Sequence, residues 1–139
     1  MKLIIAGGRD IDDAGLVQFA IEDSGWGPSV TEVVSGGTPG VDSAGEAIAA
    51  LHGIRVQRFP AEWHLHGRAA GPIRNEKMAI YGDRLIAIWD GSSRGTKNMI
   101  DQMKRLGKPV FVMYVQRDPE VMPYRDELAP WIKVKSEVL

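Results

Sequence analysis

The chain has 139 residues, 44% hydrophobic and 25% charged, with 16 glycines, no cysteine, and 17 basic against 18 acidic residues for a formal charge of −1. That length suits one domain, which buries about 68% of its extended-chain surface without a disulfide or metal staple. The absent thiols exclude a disulfide framework, a cysteine zinc site and a cysteine nucleophile, and the balanced charge excludes a broad basic footprint for nucleic acid or anionic membrane.

The first apolar run, Leu3-Ile4-Ile5-Ala6, is too short for a secretory signal and leads into Gly7-Gly8-Arg9-Asp10. No apolar run approaches the roughly 20 residues that span a bilayer, so the expected location is the cytoplasm. Ala14, Val17 and Ile21 then repeat at helical spacing behind Asp12 as the expected cap. A second strand, Glu32-Val33-Val34, ends in Ser35-Gly36-Gly37. Val41, Ala44, Ile48 and Leu51 form one stripe of a helix that Gly53 stops. A third strand, Ile54-Arg55-Val56, leads to Phe59-Pro60, and a helix is expected from about Gly71 to Tyr81. Leu85-Ile86-Ala87-Ile88-Trp89 is the fourth strand. It ends at Asp90-Gly91, and Met99, Ile100, Met103 and Leu106 mark a helix closed by Gly107. Val110-Phe111-Val112-Met113 is the fifth. Runs one, four and five are nearly continuous in apolar residues, as in parallel strands covered on both faces.

This alternation predicts a three-layer α/β, Rossmann-like fold. One domain spans 1–139 with a core over 1–115, a parallel five-stranded sheet ordered 3-2-1-4-5, and helices on both faces. Ligands bind such sheets beyond the carboxyl ends of the strands, where strand order reverses. Here that lies between the loops after strands one and four. Beyond Gln116, Pro119, Pro123 and Pro130 break any long helix, and charges alternate with Val121, Tyr124, Leu128, Trp131 and Ile132. The 116–139 extension packs either along the sheet edge or against a second subunit, and the residues do not choose.

Ser35-Gly36-Gly37-Thr38-Pro39-Gly40 opens the helix containing Asp42, and Ser92-Ser93-Arg94-Gly95-Thr96 opens another. Glycines let a phosphate approach backbone N–H groups at a helix N-terminus, although a single such loop is also what a tight strand-to-helix turn requires. Three at one end of a sheet favour an anion site. The P-loop motif is missing and no Gly-x-Gly-x-x-Gly follows strand one, which has Gly7-Gly8-Arg9-Asp10 instead, and this argues against P-loop phosphoryl transfer and ordinary dinucleotide binding. In Gly71-Pro72-Ile73-Arg74-Asn75-Glu76-Lys77, Arg74 suits a phosphate or carboxylate fork and Asn75 a hydroxyl or base edge, or the segment is a solvated charged turn. His52, His64 and His66 are the three histidines, and His64 and His66 lack a third ligand, so no metal is expected. Trp63 and Trp89 suit either base stacking or the core.

Over roughly residues 3–113 the chain resembles the SLOG superfamily, most closely its small YspA-type, YpsA-related members. The resemblance rests on Gly7-Gly8-Arg9-Asp10, Ser35-Gly36-Gly37-Thr38-Pro39-Gly40-Val41-Asp42, Phe59-Pro60-Ala61-Glu62-Trp63, His66-Gly67-Arg68-Ala69-Ala70-Gly71-Pro72-Ile73-Arg74-Asn75 and Trp89-Asp90-Gly91-Ser92-Ser93-Arg94-Gly95-Thr96. The superfamily includes the Lonely Guy phosphoribohydrolases and the DNA-processing protein DprA. Its YspA-type members are regarded as binders of nucleotide-like ligands. Gly36, Gly37 and Gly40 look like the Lonely Guy glycine loop, and Arg74-Asn75-Glu76-Lys77-Met78 resembles its Arg-Lys-x-x-Met helix, with Asn75 in place of lysine. Those enzymes place a glutamate shortly after Gly-Thr, where this chain has Lys97, Asn98 and Met99.

The resemblance implies a nucleotide or nucleotide-derived ligand, bound for sensing, with no cofactor. Phosphate is expected on the amides of 36–40 and 94–96, with Arg74 as counter-charge and Asp10, Asp42 or Asn75 on ribose hydroxyls. Gly7, Gly8, Arg9, Ser35, Asp90, Gly91 and Ser93 complete the expected ligand shell, with Arg94, Gly95 and Thr96. The alternative is hydrolysis of a nucleoside 5′-monophosphate at its N-glycosidic bond, with Arg74 and Glu76 catalytic and Asp10, Asp42 or Asp90 as substitute carboxylates. A DprA-like DNA-binding role is the second alternative, which the near-neutral charge disfavours. A homodimer is the expected assembly.

Overall fold

The computed structural model describes residues 1–120 and 130–139. Val121, Pro123, Tyr124 and Leu128, read above as part of the extension, lie outside the described residues. Strands β1 (Lys2–Gly7), β2 (Glu32–Ser35), β3 (Arg55–Arg58), β4 (Arg84–Trp89), β5 (Val110–Arg117) and β6 (Trp131–Val138) form one sheet ordered β3-β2-β1-β4-β5-β6. The first five are parallel in the expected order, with Leu3 opposite Val33 on one side and Arg84 on the other.

The sixth strand corrects the sequence reading, and the sheet is mixed. β6 runs antiparallel to β5, pairing Arg117 with Trp131 and Phe111 with Val138 across an irregularity at Tyr114 and Val115. The described end of the extension, Trp131–Val138, therefore packs along the sheet edge. Its residues did not read as a strand because β6 is an edge largely exposed to solvent, where Lys133, Lys135 and Glu137 take the place of a continuous apolar run. Bulges and lysines are common on edge strands, where they discourage further pairing.

Alternate residues of the inner strands feed the two faces. Leu3, Ile5, Ile86 and Ile88 join Val17 and Ala20 of helix α1 (Ala14–Ser24) and Val41, Ala44 and Ile48 of helix α2 (Val41–Leu51). Ile4, Ala6, Leu85 and Ala87 meet Met78 and Ala79 of α4 (Ala70–Tyr81) and Met99, Ile100 and Met103 of α5 (Arg94–Arg105). Each large aliphatic side chain buried this way contributes about 1.5–3 kcal/mol. A one-turn helix α3 (Trp63–His66) precedes α4.

Four local expectations shift. Asp13, not Asp12, caps α1, its carboxylate accepting the Leu16 N–H at 3.1 Å. Leu51 is 82% exposed, because it ends α2 beyond the sheet. Leu106 is the C-cap of α5 and is also exposed. Trp63 is 51% exposed in α3 with His64 and His66, whereas Trp89 is half-buried and donates its indole N–H to the Ser93 carbonyl at 3.0 Å.

Candidate functional site

Strand order reverses between β1 and β4, and a cleft of about 360 Å³ opens there at their carboxyl ends. Gly7 ends β1 where backbone, β4 and α2 converge: a Cβ would lie 2.4 Å from the Ile88 carbonyl oxygen and 2.7 Å from Val41 Cγ2. Glycine is required there for packing. The Gly8 carbonyl accepts the N–H groups of Ile11 and Val41, tying the turn to the start of α2. Arg9 and Asp10 project outward. The Asp10 carbonyl accepts the Trp131 indole N–H at 3.1 Å, and Arg117 reaches its carboxylate at 3.9 Å while lying over the Trp131 ring. The C-terminal strand thus braces this turn.

The loop after β2 engages two of its backbone donors, those of Gly37 and Thr38, internally. Gly37 N–H donates to Ser35 Oγ at 3.0 Å, and Ser35 Oγ–H donates to Glu46 Oε2 at 2.7 Å. Arg58 pairs with the other Glu46 oxygen. The amide and hydroxyl of Thr38 both donate to Asp42 Oδ2, at 3.2 and 2.8 Å. Gly40 has φ 80°, and a Cβ would meet the Gly8 carbonyl oxygen at 2.4 Å. The amides of Gly37 and Thr38 are therefore engaged within the loop.

Helix α4 buries the two polar residues of its second turn. Arg74 Nη1 donates to the carbonyls of Gly36 at 2.8 Å and Phe59 at 3.3 Å, and Nε donates to Asn75 Oδ1 at 2.9 Å. Asn75 Nδ2 in turn donates to the Gly95 carbonyl and Asn98 Oδ1. Burial lowers the Arg74 pKa, with Asp42 opposing the shift and Arg9 adding to it. Glu76 and Lys77 are exposed on the far side of the helix, and Glu76 does not line the cleft.

The loop after β4 is organised differently. Asp90 Oδ1 accepts the N–H groups of Ser92 and Ser93, each at 2.9 Å. Burial would raise this carboxyl's pKa, but those amide bonds outweigh it and hold it below the ordinary value. The first intrahelical bond of α5 is Lys97 N–H to the Ser93 carbonyl, and no side chain caps the helix. The N–H groups of Arg94, Gly95 and Thr96 consequently have no acceptor among the described residues. Ser93 and Thr96 share a hydroxyl contact at 3.2 Å beside them.

The cleft brings together Gly7, Gly8, Arg9 and Asp10 from the first loop with Asp42, Arg74 and Asn75. Ser93, Gly95 and Thr96 complete its opposite wall. Ser35, Gly36, Gly37, Gly40, Asp90, Gly91 and Arg94 shape the surrounding turns without lining it. Sequence reasoning missed Thr38, which orients Asp42, and Met78 and Met99, which give the floor an apolar patch. The helical spacing that marked Met99 as core carried no sign of this second role. Burial raises the Asp42 pKa, with Thr38 and Arg74 opposing it. Another cavity of about 300 Å³, between α1 and α2, is lined mostly by apolar groups such as Leu3, Ile21, Val33 and Ile48 and carries none of the expected site residues. No helix among the described residues is long and apolar enough to cross a membrane.

A model of the YspA, cpYpsA-related SLOG family matches residues 1–66. The chain is also 31% identical over 118 residues to the "Gene 61 protein" of Mycobacterium phage D29, an alignment covering 78% of this chain and 93% of that protein. The first two glycine loops fall within the family match.

Proposed function

Because the chain belongs to the YspA, cpYpsA-related SLOG family, we propose that its Rossmann-like domain binds a nucleotide or nucleotide-derived ligand for sensing, in the cleft between β1 and β4. The observation that carries this reading is the first turn of α5: its amides have no acceptor among the described residues, and two of its residues, Gly95 and Thr96, line the same cleft as Arg74. A helix N-terminus combines free donors with the positive end of the dipole and favours a phosphate. Arg74 Nη2 makes no hydrogen bond to the described residues and remains solvent-reachable, and Arg9 adds a second cation at the rim. The phosphate sits on the 94–96 amides, and Asn75 acts as a positioning residue, its amide being engaged with Arg74, Gly95 and Asn98.

Binding without turnover is the better-supported reading. Glu76 lies away from the cleft, Asp90 is occupied by its own loop, and the residues after Thr96 supply no carboxylate until Asp101, while the two carboxylates that line the cleft are engaged with Arg117 (Asp10) and Thr38 (Asp42). The test is a thermal-shift panel of nucleoside mono- and diphosphates, ADP-ribose and cyclic nucleotides. At about 100 times Kd a ligand contributes about 2.7 kcal/mol, which raises Tm by about 2–8 °C. No shift from any member of the panel overturns the proposal.

A further inference from the structure

The cavity of about 300 Å³ between α1 and α2 opens at the amino ends of the strands, the end of the sheet opposite the cleft. Its floor is Leu3 and Ile5 of β1 and Val33 of β2, core residues each no more than 3% exposed, and its walls are Ile21 of α1 with Ile48 and Ala49 of α2. The single turn Gly27–Ser29 closes one end. Protein interiors are close-packed, and apolar voids of this size over a core are few. The volume lies at the lower bound of small-molecule sites, about 300–1,000 Å³. It is too small for a helix, one turn of which, about 10 Å across and about 5.4 Å long, already exceeds it. A strand has no free edge to pair with there, because β1 and β2 are interior to the sheet.

The polar groups sit at the mouth. Gln18, Glu22 and His52 line it, and no lysine or arginine among the described residues does. Glu22 is exposed and forms no ion pair among the described residues. Its Oε1 accepts Gln18 Nε2 at 3.1 Å, and Oε2 has no partner among the described residues. An anionic occupant would therefore meet a carboxylate, whereas a cationic end finds an unused one. The cleft at the other end of the sheet, lined by Arg9 and Arg74, has the opposite chemistry. We propose that this cavity is a second ligand site, which takes a small apolar molecule with a cationic amine end, its body on Leu3, Ile5 and Val33 and its amine at Glu22. The proposal does not depend on the nucleotide reading of the cleft.

The experiment is NMR titration of the full chain with indole, tryptamine and indole-3-acetate, one apolar body with a neutral, a cationic and an anionic end. Working at pH 8 keeps histidine neutral, so that Glu22 is the charge at the mouth. Indole and tryptamine are expected to give saturable shifts centred on Val33, Ile48 and Ile54, with Kd about 1 mM or tighter. Tryptamine is expected to bind about two- to fivefold more tightly than indole-3-acetate, the range of an exposed charge pair, and Glu22→Gln is expected to remove that difference. Val30→Phe, which fills the cavity from the segment before β2, is expected to abolish the shifts from indole. Absence of saturable shifts from indole and tryptamine, or shifts centred elsewhere, overturns the proposal. So do equal binding of the amine and the acid, an amine preference that survives Glu22→Gln, and unaltered indole binding by Val30→Phe. Shifts of the same resonances with protein concentration alone place a side chain of a second copy in the cavity and also overturn it. If Val30→Phe does not fold, the location of the shifts and the exposed Glu22→Gln change decide.

Discussion

The loops after β2 and β4 look alike in sequence, each rich in glycine and serine and each opening a helix, but they differ in which backbone donors they spend. In the β2 loop, Gly37 and Thr38 donate to Ser35 and Asp42, and Gly40 is there because α2 approaches the β1 turn too closely for a Cβ. In the β4 loop, Asp90 takes up the amides of Ser92 and Ser93, and those of the first turn of α5 keep no internal acceptor. Glycine content therefore does not identify an anion cradle. Which N–H groups stay unspent beside the cleft matters more, and in the β2 loop the carbonyl of Gly36 and the donors of Thr38 are committed to holding Arg74 and Asp42.

The largest expected effect falls on the packed loop. Gly40→Ala puts a Cβ against two carbonyl oxygens at a positive φ, and urea denaturation is expected to show a loss of about 3 kcal/mol or more. A loss below about 1 kcal/mol would break the claim that this glycine is there for packing.

Asp90→Ala is the intermediate case. Removing a side chain that caps two amides costs about 1 kcal/mol, reduced by its partial exposure. Its sign follows from the carboxyl being held below its ordinary value of 3.8. The contribution is complete above that ordinary value and disappears as pH falls through the lower folded value. Denaturation of both proteins near neutrality and in acid is expected to show the difference closing only in acid. A gap that persists unchanged there contradicts the ionic role.

Gly95→Ala is expected to affect stability least. A Cβ there meets nothing within 4 Å and the residue lies in the first turn of α5, so stability is expected to stay level or rise by about 0.5–1 kcal/mol. The same methyl obstructs a phosphate on the amides, and nucleotide affinity is expected to fall about tenfold, the worth of one charge-assisted bond. Stability loss without affinity loss would place Gly95 with Gly40 and dissolve the contrast between the loops.

The fold was legible where strands are buried on both faces. Leu3 to Ala6 and Leu85 to Ile88 have nearly unbroken apolar runs because helices cover both sides, and their order follows from right-handed crossovers. β6 was not legible, since an exposed antiparallel edge with a bulge has no continuous apolar face to display. Within the site, Arg74 and Asn75 were identifiable as polar residues near a helix start, but not as buried ones. Only packing against Gly36 and Gly95 decides that.

What the amino-acid order determined by itself is local and periodic: where strands and helices alternate, and hence that glycines, Arg74 and Asp42 gather at the carboxyl ends of the strands. What tertiary structure alone decided is which donors and acceptors remain unused. A hydrogen bond is satisfied by whatever folding brings within reach, and the partners here are remote, with Arg74 38 residues from Gly36 and Trp131 121 residues from Asp10. No pattern along the chain encodes such separations, because they arise from the summed geometry of the crossovers between them.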